Sequence, residues 1–424
     1  MNIQDVRQID SRHDMIRFFD GYSFERKEEL DERQSKKPLV KSYLLETRDC
    51  NQSADLMDLP AFFSRHGVEI TPIDTGLYRA DQDNEPIGFI EAIRPRIVVL
   101  YSVMGVQSID KFVHGLVLST PEIDHVWLSG STFNVLWKIV AKLCQPHRYV
   151  RIVFTHDSVY DIDGSPVPPQ ESEDHTVPED EEALEEESTN DDLQPVRERR
   201  AARFQLVDRI RVVNEKLGLL QQTYSPLYAI SQLRFPSPAG KGGHDFYDTG
   251  KVTNRSESFR DHRNHVLFVT RIYEEMLGRT EKQMWYGVQT SVAMPGEFRR
   301  LVGAPLVAEF KEHLSAPVFD YWVESTFQRQ RNRFRLWGHP IRLGPTKVHV
   351  YGLDRHLWQP LFLELTAKGC VAIVPKGTCG NTVHRLVTNI QRYLDPGATF
   401  FLGDEPYAQM VEKSSREVSY VDTE

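Results

Sequence analysis

The chain has 424 residues, more than one ordinary domain needs, and its 40% hydrophobic and 26% charged content excludes fibrous and wholly disordered classes. No apolar run reaches the roughly 18 residues of a membrane-spanning helix, and the opening MNIQDVRQIDSRHD lacks the basic-then-apolar pattern of a secretory signal. The net charge of −10 hides its arrangement: residues 1–160 hold 19 basic and 23 acidic side chains, 161–192 hold fourteen acidic and no Lys or Arg, and 193–424 hold 32 basic and 24 acidic. The acidic total therefore excludes nothing about anionic partners, because the C-terminal part taken alone is basic.

Residues 1–40 are polar and mix both charges, as a solvated helical lead-in does. Tyr43-Leu44-Leu45 predicts a short strand, 59–66 a helix, and Arg96–Ser102 a buried strand. A helix follows with Ser108 as its expected N-cap and Ile109, Phe112, Val113 and Leu116 on one face. Strand 125–128, helix 132–143 and strand 149–154 complete an alternation that predicts βαβ units and a mostly parallel sheet over residues 1–160. Open α/β sheets place ligands beyond the carboxyl ends of their strands, which singles out Ser129, Ser131, His156 and Asp157 as candidate catalytic residues. The same Ser129-Gly130-Ser131-Thr132 is also an ordinary turn and helix cap. No G-x-G-x-x-G follows any strand, so a dinucleotide fingerprint is absent.

Residues 161–196 read as an acidic disordered linker or insert, given their charge and Pro166, Pro168, Pro169 and Pro178. A tethered polyanion beside a basic domain can also compete for that domain's binding surface.

Over 197–424 the pattern predicts a basic, mixed α+β domain. Leu206, Ile210, Val213, Leu217 and Leu220 mark an amphipathic helix. Strand 227–235, a basic loop Gly240-Lys241-Gly242-Gly243 and a return strand near Asp245 read as a hairpin. A helix reaching about Leu277 carries His262 and His265 three apart, with no further ligands that would make a metal site. Arg329, Arg331, Arg333 and Arg335 fall at every second position, so an extended backbone puts four guanidiniums on one face. Arginine's planar fork suits phosphate, and Trp337, Phe334 and Tyr351 are near enough in sequence to stack on bases. Equally, such a row is a charged strand edge that resists aggregation. Residues 347–351, 361–365 and 370–375 read as strands. The last leads through Lys376-Gly-Thr-Cys-Gly to a helix with Val383, Leu386, Val387, Ile390 and Leu394 on one face. Loop, cation and helix start coincide there, so Lys376 and Arg385 become phosphate-binding candidates, with Asn381 as the alternative plain N-cap.

Cys50, Cys144, Cys370 and Cys379 form no CxxC pair and no zinc spacing, which suits reduced thiols of a cytoplasmic protein and no metal. The sequence thus predicts a two-domain protein that binds DNA or RNA through its C-terminal domain, with the N-terminal α/β domain regulatory or partner-docking. One alternative is an enzyme acting on a nucleotide or other phosphorylated ligand at the N-terminal sheet. Another is a structural subunit of a larger, multi-subunit complex with protein partners. No cofactor is indicated.

Overall fold

In the computed structural model, residues 6–31, 37–47, 58–161, 199–238, 240–293, 296–327, 333–416 and 418 are described. Helix α1 (Arg12–Asp31) precedes β1 (Lys41–Thr47) and α2 (Leu59–Arg65). A meander of β2 (Glu69–Asp74), β3 (Leu77–Gln82), β4 (Glu85–Arg94) and β5 (Ile97–Ser102) follows, then α3 (Val106–Ser119), β6 (Ile123–His125), α4 (Gly130–Leu143) and β7 (Tyr149–Asp161). After the acidic stretch come β8 (Arg199–Arg209), α5 (Ile210–Thr223), β9 (Ile230–Pro236), β10 (Gly243–Tyr247), β11 (Lys251–Asn254) and the long helix α6 (Phe259–Met284). The remaining chain forms β12 (Trp285–Ala293), β13 (Gly296–Val302), β14 (Leu306–Glu309), α7 (Ala316–Phe327), β15 (Leu336–Gly344) and β16 (Lys347–Asp354). It ends with β17 (Gln359–Thr366), β18 (Gly369–Pro375), α8 (Asn381–Tyr393), β19 (Thr399–Leu402), β20 (Glu405–Pro406) and α9 (Tyr407–Arg416).

The first sheet runs β2-β3-β4-β5-β1-β11-β10-β9-β7-β8, with β6 also on β1. Every pairing in it is antiparallel. This overturns the mostly parallel α/β sheet expected for 1–160. β5 and β6 do run the same way on either side of α3, but β1 lies between them and opposes both, Leu45 facing Val98 and His125. After α4, β7 pairs with β8 and β9, not with β6. Spacing alone predicted crossover units because it carries no record of the strands from 199–254 that insert between them.

Those insertions also bear on the expected division at 161–196. β7 and β8 are antiparallel neighbours, with Asp161 in register with Arg199. The acidic stretch thus interrupts, in sequence, one hairpin of the first sheet. Beyond Asp161 the stretch lies outside the described residues, so its expected disorder does too.

The second sheet runs β15-β16-β17-β18-β14-β19-β20 and is antiparallel in that path. β12 joins β18 in parallel, Trp285 opposite Val374, and forms a hairpin with β13. The expected strands at 347–351, 361–365 and 370–375 lie in β16, β17 and β18, and the expected hairpin around Gly240–Gly243 is β9–β10. Several helix starts differ from expectation, α4 for one beginning at Gly130. α3 begins at Val106 after Gly105, leaving Ser108 inside the helix, and the 206–220 helix begins only at Ile210 because Leu206 belongs to β8.

One apolar cluster runs from Phe19 of α1 through Val266, Phe268 and Ile272 of α6 to Val383 of α8 and Val374 of β18, joining both sheets. The other face of the first sheet is covered by α2 and α3, with Tyr43, Leu45, Phe62, Phe63, Leu100 and Val113 buried together. Alternation places Leu44 on one face of β1 and Tyr43 and Leu45 on the other. Burying a side chain of this size contributes about 1.5–3 kcal/mol. No helix among the described residues is long and apolar enough to cross a membrane.

Candidate functional site

Helix α8 is amphipathic in sequence yet buried nearly all round, from Asn381 to Gln391. Its apolar stripe, Val383, Leu386, Val387 and Ile390, is buried in the core, and its polar face is closed in as well. His384 Nδ1 lies 2.6 Å from Tyr407 Oη, Gln391 accepts from Gly130 N at 3.2 Å, and Arg392 pairs with Asp248 at 2.9 Å.

Arg385 sits at the centre of this face with no solvent exposure. Its guanidinium donates to Asp124 of β6, to Asp354 of β16 at 2.5 Å and to Phe334 O at 2.9 Å. Arg335, 3% exposed, reaches Asp124 at 2.9 Å and donates to Ile123 O and Thr120 O. Two guanidiniums therefore face two carboxylates. Burial alone would raise Asp124, but Arg335 and Arg385 outweigh it and hold the carboxyl well below its ordinary range. The two arginines expected to contact phosphate are internal counter-ions that tie β6 of the first sheet to the second.

Beside them, Arg96 donates to Glu46 at 2.6 Å, Glu281 at 2.8 Å and Cys379 Sγ at 3.1 Å. Here one guanidinium meets two carboxylates. Burial pushes Glu46 up against the pull of Arg96, with Glu281 and Asp124 adding to the rise. Tyr273 Oη has two acceptors in reach, Asn381 Oδ1 at 2.6 Å and Glu46 Oε2 at 3.2 Å.

Glu46, His356 and Cys379 bring ligand-type atoms within 4.8 Å of one another. They are donor types a metal accepts, but Arg96 already supplies the cation to Glu46 and Cys379. Burial, with Glu46 next to it, pushes the Cys379 thiol well above its usual range, so it is neither a ready ligand nor a nucleophile. Burial likewise lowers His356 to about 4, and its Nδ1 is 3.0 Å from Pro121 O.

The loop after β18 fails as a phosphate cradle for a related reason. Cys379 N donates to Gln359 Oε1 at 2.8 Å, Gly380 N to Glu281 Oε1 at 3.0 Å, and Asn381 N to Cys379 Sγ at 3.3 Å. The amides an anion would need are directed at protein acceptors. Gly380, not Asn381, occupies the N-cap. Lys376 remains exposed.

The candidate catalytic residues are taken up in structural contacts. Ser129 is buried as the cap of α4, accepting from Thr132 N at 3.2 Å, and Ser131 lies in that helix's first turn. His156, in β7, places Nδ1 3.0 Å from Arg392 O; Asp157 follows it, with Ala201 opposite in register. Of the arginine row, Arg329 and Arg331 lie outside the described residues. Arg333 is exposed with its guanidinium 4.3 Å over the Tyr393 ring, and Arg335 is buried at φ +53° in the turn before β15.

Trp337 opens a different surface. Alternation on β15–β17 buries Leu336, Val348, Val350, Leu361, Leu363 and Leu365 and turns their neighbours outward. On that outer face His339 stands opposite Tyr351, Ile341 opposite His349, and Tyr351 opposite Phe362. Trp337 is 57% and Tyr351 68% exposed, whereas Phe334 is buried. The Tyr351 and Phe362 rings are 5.1 Å apart, and His349 and Phe362 5.2 Å. Glu364 accepts from Lys347 and His349. His339, His349 and Phe362 were missed by the sequence reading; His349 and Phe362 sit at outward positions of strands it had found, whereas Gly338-His339-Pro340 reads as a turn and lies within β15.

No solved structure matches the chain. Over 151 residues it is 26% identical to a protein of Methanocaldococcus jannaschii, the Uncharacterized protein MJECL33, a stretch covering 36% of this chain and 34% of that relative. The chain thus spans about a third of the length of the curated relative it matches. The family model for MJECL33-like protein matches residues 3–408, nearly end to end, and the chain belongs to that family.

Proposed function

We propose that the outer face of β15–β17 binds single-stranded nucleic acid by stacking bases on its rings. The observation that carries this reading is the exposure of Trp337 and Tyr351 on one open face that also holds Phe362, His339 and His349. Stacking contributes about 1–3 kcal/mol per base and tolerates any sequence. Arg333 and Lys376, both exposed, supply positive charge for the backbone. Arg342 and Lys347 are each already paired with a carboxylate and contribute less. A cytoplasmic location, where Cys144, Cys370 and Cys379 stay free thiols, belongs to the same proposal.

The test is a salt-series titration of the full chain with single- and double-stranded DNA and RNA. Single strands should bind more tightly than duplexes, with affinity falling as salt rises. Trp337→Ala and Tyr351→Ala should each weaken binding roughly 5- to 150-fold, the factor that 1–3 kcal/mol represents. Unchanged affinity in the double variant would remove this reading. Ile341 and Leu343, 43% and 55% exposed on the edge strand, favour a second reading in which the face docks a protein partner. That reading predicts a native mass above one chain that the double variant reduces.

A further inference from the structure

The face of the first sheet that turns away from the main core is divided. The apolar cluster under α2 and α3 takes no residue from β7–β11. Alternation along β7 sends Val150, Ile152 and Phe154 into the main core and Tyr149, Arg151, Val153 and Thr155 to the other side. Opposite those four stand Arg209, Val207, Gln205 and Arg203 of β8. Gln232 of β9 stands opposite Val153, Arg234 opposite Asp245 of β10, and Asp245 opposite Thr253 of β11. Val153 is 1% exposed yet belongs to neither apolar cluster.

In these rows Arg151, Arg203, Arg209 and Arg234 meet one carboxylate. That carboxylate, Asp245, accepts from Arg234 at 2.6 and 2.8 Å and is shared with Arg255. Arg151 donates to Gln205 Oε1 at 3.1 Å, and among the described residues no carboxylate pairs with the guanidinium of Arg151, Arg203 or Arg209. Burial lowers Arg151 below the ordinary arginine range against the pull of Asp245, and Arg234 and Arg255 add to the fall. Gln232 Oε1 and Thr253 Oγ1 are buried without a hydrogen-bond partner. Arg203 and Arg209 are exposed. Beside Arg209, Tyr149 is 61% and Val207 51% exposed. The β8 side of this face thus offers open guanidiniums with apolar groups between them.

We propose that the chain's own acidic stretch, residues 171–192, docks along the β8 side of this face. From Glu171 to Asp192 it carries twelve acidic side chains and no Lys or Arg, with Ala183-Leu184 among them. That chemistry complements Arg203 and Arg209 with Val207 and Tyr149 beside them. Both ends of the stretch start from the same strand pair, because Asp161 stands in register with Arg199. The 37 residues from 162 to 198 reach about 60 Å out and back at ~3.3 Å per residue, whereas β8 (Arg199–Arg209) is about 33 Å long. Tethering holds the polyanion at an effective concentration on the order of millimolar, so a contact too weak for two separate molecules is filled within one chain. An outside polyanion meets this face only by displacing the stretch. The docking is separate from the stacking face and does not depend on it.

The probe is a labelled synthetic peptide of residues 165–192, titrated by fluorescence anisotropy against the full chain and against a variant with that segment replaced by a Gly-Ser linker. The linker variant should bind the peptide roughly tenfold or more tightly than the full chain, whose site is already filled. Its affinity should fall as salt rises. In the linker variant, Arg203→Glu with Arg209→Glu should weaken binding roughly tenfold or more, whereas Lys376→Glu and Trp337→Ala on the second sheet should leave it unchanged. A linker variant that binds no more tightly than the full chain overturns the proposal, as does binding that survives the Arg203→Glu, Arg209→Glu pair. So does a linker variant that ignores the peptide but takes single-stranded oligonucleotide through those two arginines. A native mass of two chains that falls to one in the linker variant also overturns it, because the stretch would then occupy a second copy. Should the linker variant fail to fold, the full-length chain with Glu179→Gln, Glu181→Gln, Glu182→Gln, Glu185→Gln, Glu186→Gln and Glu187→Gln replaces it. That chain should bind the peptide severalfold more tightly than the wild type, and equal affinity is equally fatal.

Discussion

Replacing Arg385 by Met separates the two roles this residue has been given. In the structure the substitution removes donors from Asp124, Asp354 and Phe334 O, all at the contact between the sheets. Breaking a buried ion pair by removing one partner costs about 3–5 kcal/mol. Asp124 retains Arg335 at 2.9 Å and His125 N at 2.8 Å, and Asp354 retains Thr382 and His356 N. The loss should therefore fall near the lower limit, about 3 kcal/mol. The pH dependence has a definite sign. Asp124 is depressed in the folded protein, so its contribution is complete above the unfolded carboxylate value and is lost as pH falls through the folded one. Arg385→Met lessens that depression, so the gap between variant and wild type should be largest near neutrality and shrink below about pH 4. Urea unfolding followed by circular dichroism at pH 7 and at lower pH measures both quantities. Oligonucleotide titration of the same samples should show the wild-type salt slope. A variant with the wild-type urea midpoint and a shallower salt slope would refute the assignment and return Arg385 to a phosphate contact.

Six histidines, the half-buried His125 and the buried His244, His262, His265, His356 and His384, are lowered by desolvation, five of them to about 3 or 4 and His244 well below its usual value. Their neutral forms stabilise the fold fully above the unfolded value near 6.5, so the urea midpoint should fall steadily from about pH 6.5 to 5; a flat profile there contradicts their burial. Iodoacetamide at mildly alkaline pH should leave Cys370, raised to about 12 by burial, and Cys379 unlabelled until the chain is denatured, as peptide mass mapping will show. In Gly88→Ala the new Cβ would sit 2.0 Å from Tyr101 O at φ +152°, between β4 and β5. That variant should lose about 3 kcal/mol or more in thermal or urea unfolding, or fail to accumulate as folded protein.

What the sequence disclosed depended on how local the determinant was. Strands β16, β17 and β18 and the apolar stripe of α8 are written in periods of 2 and 3.6 and were found where they lie. The meander β2–β5 was under-read, although Asp83-Asn84, both at positive φ between β3 and β4, is hairpin turn chemistry. Strand partners were not legible. Nothing in residues 1–160 reveals that β9, β10 and β11 will insert between β1 and β7. The same long-range gap explains the site. Arg385 one turn into a helix after a glycine loop looks like an anion ligand until Asp124, 261 residues away, arrives beside it. Polar residues on a helix read as solvent-facing unless a second layer is known to cover them.

The pairing of Asp161 with Arg199 has a consequence for how the chain tolerates cutting. A protease that cleaves within 162–198 cuts outside every strand described for the two sheets. β1 from the first fragment would still be zipped to β11 of the second, and β7 to both β8 and β9. The two pieces should migrate as one particle on a sizing column and part only in denaturant. Expressed separately, they are candidates for reassembly, because the break falls where the fold already brings its two ends side by side.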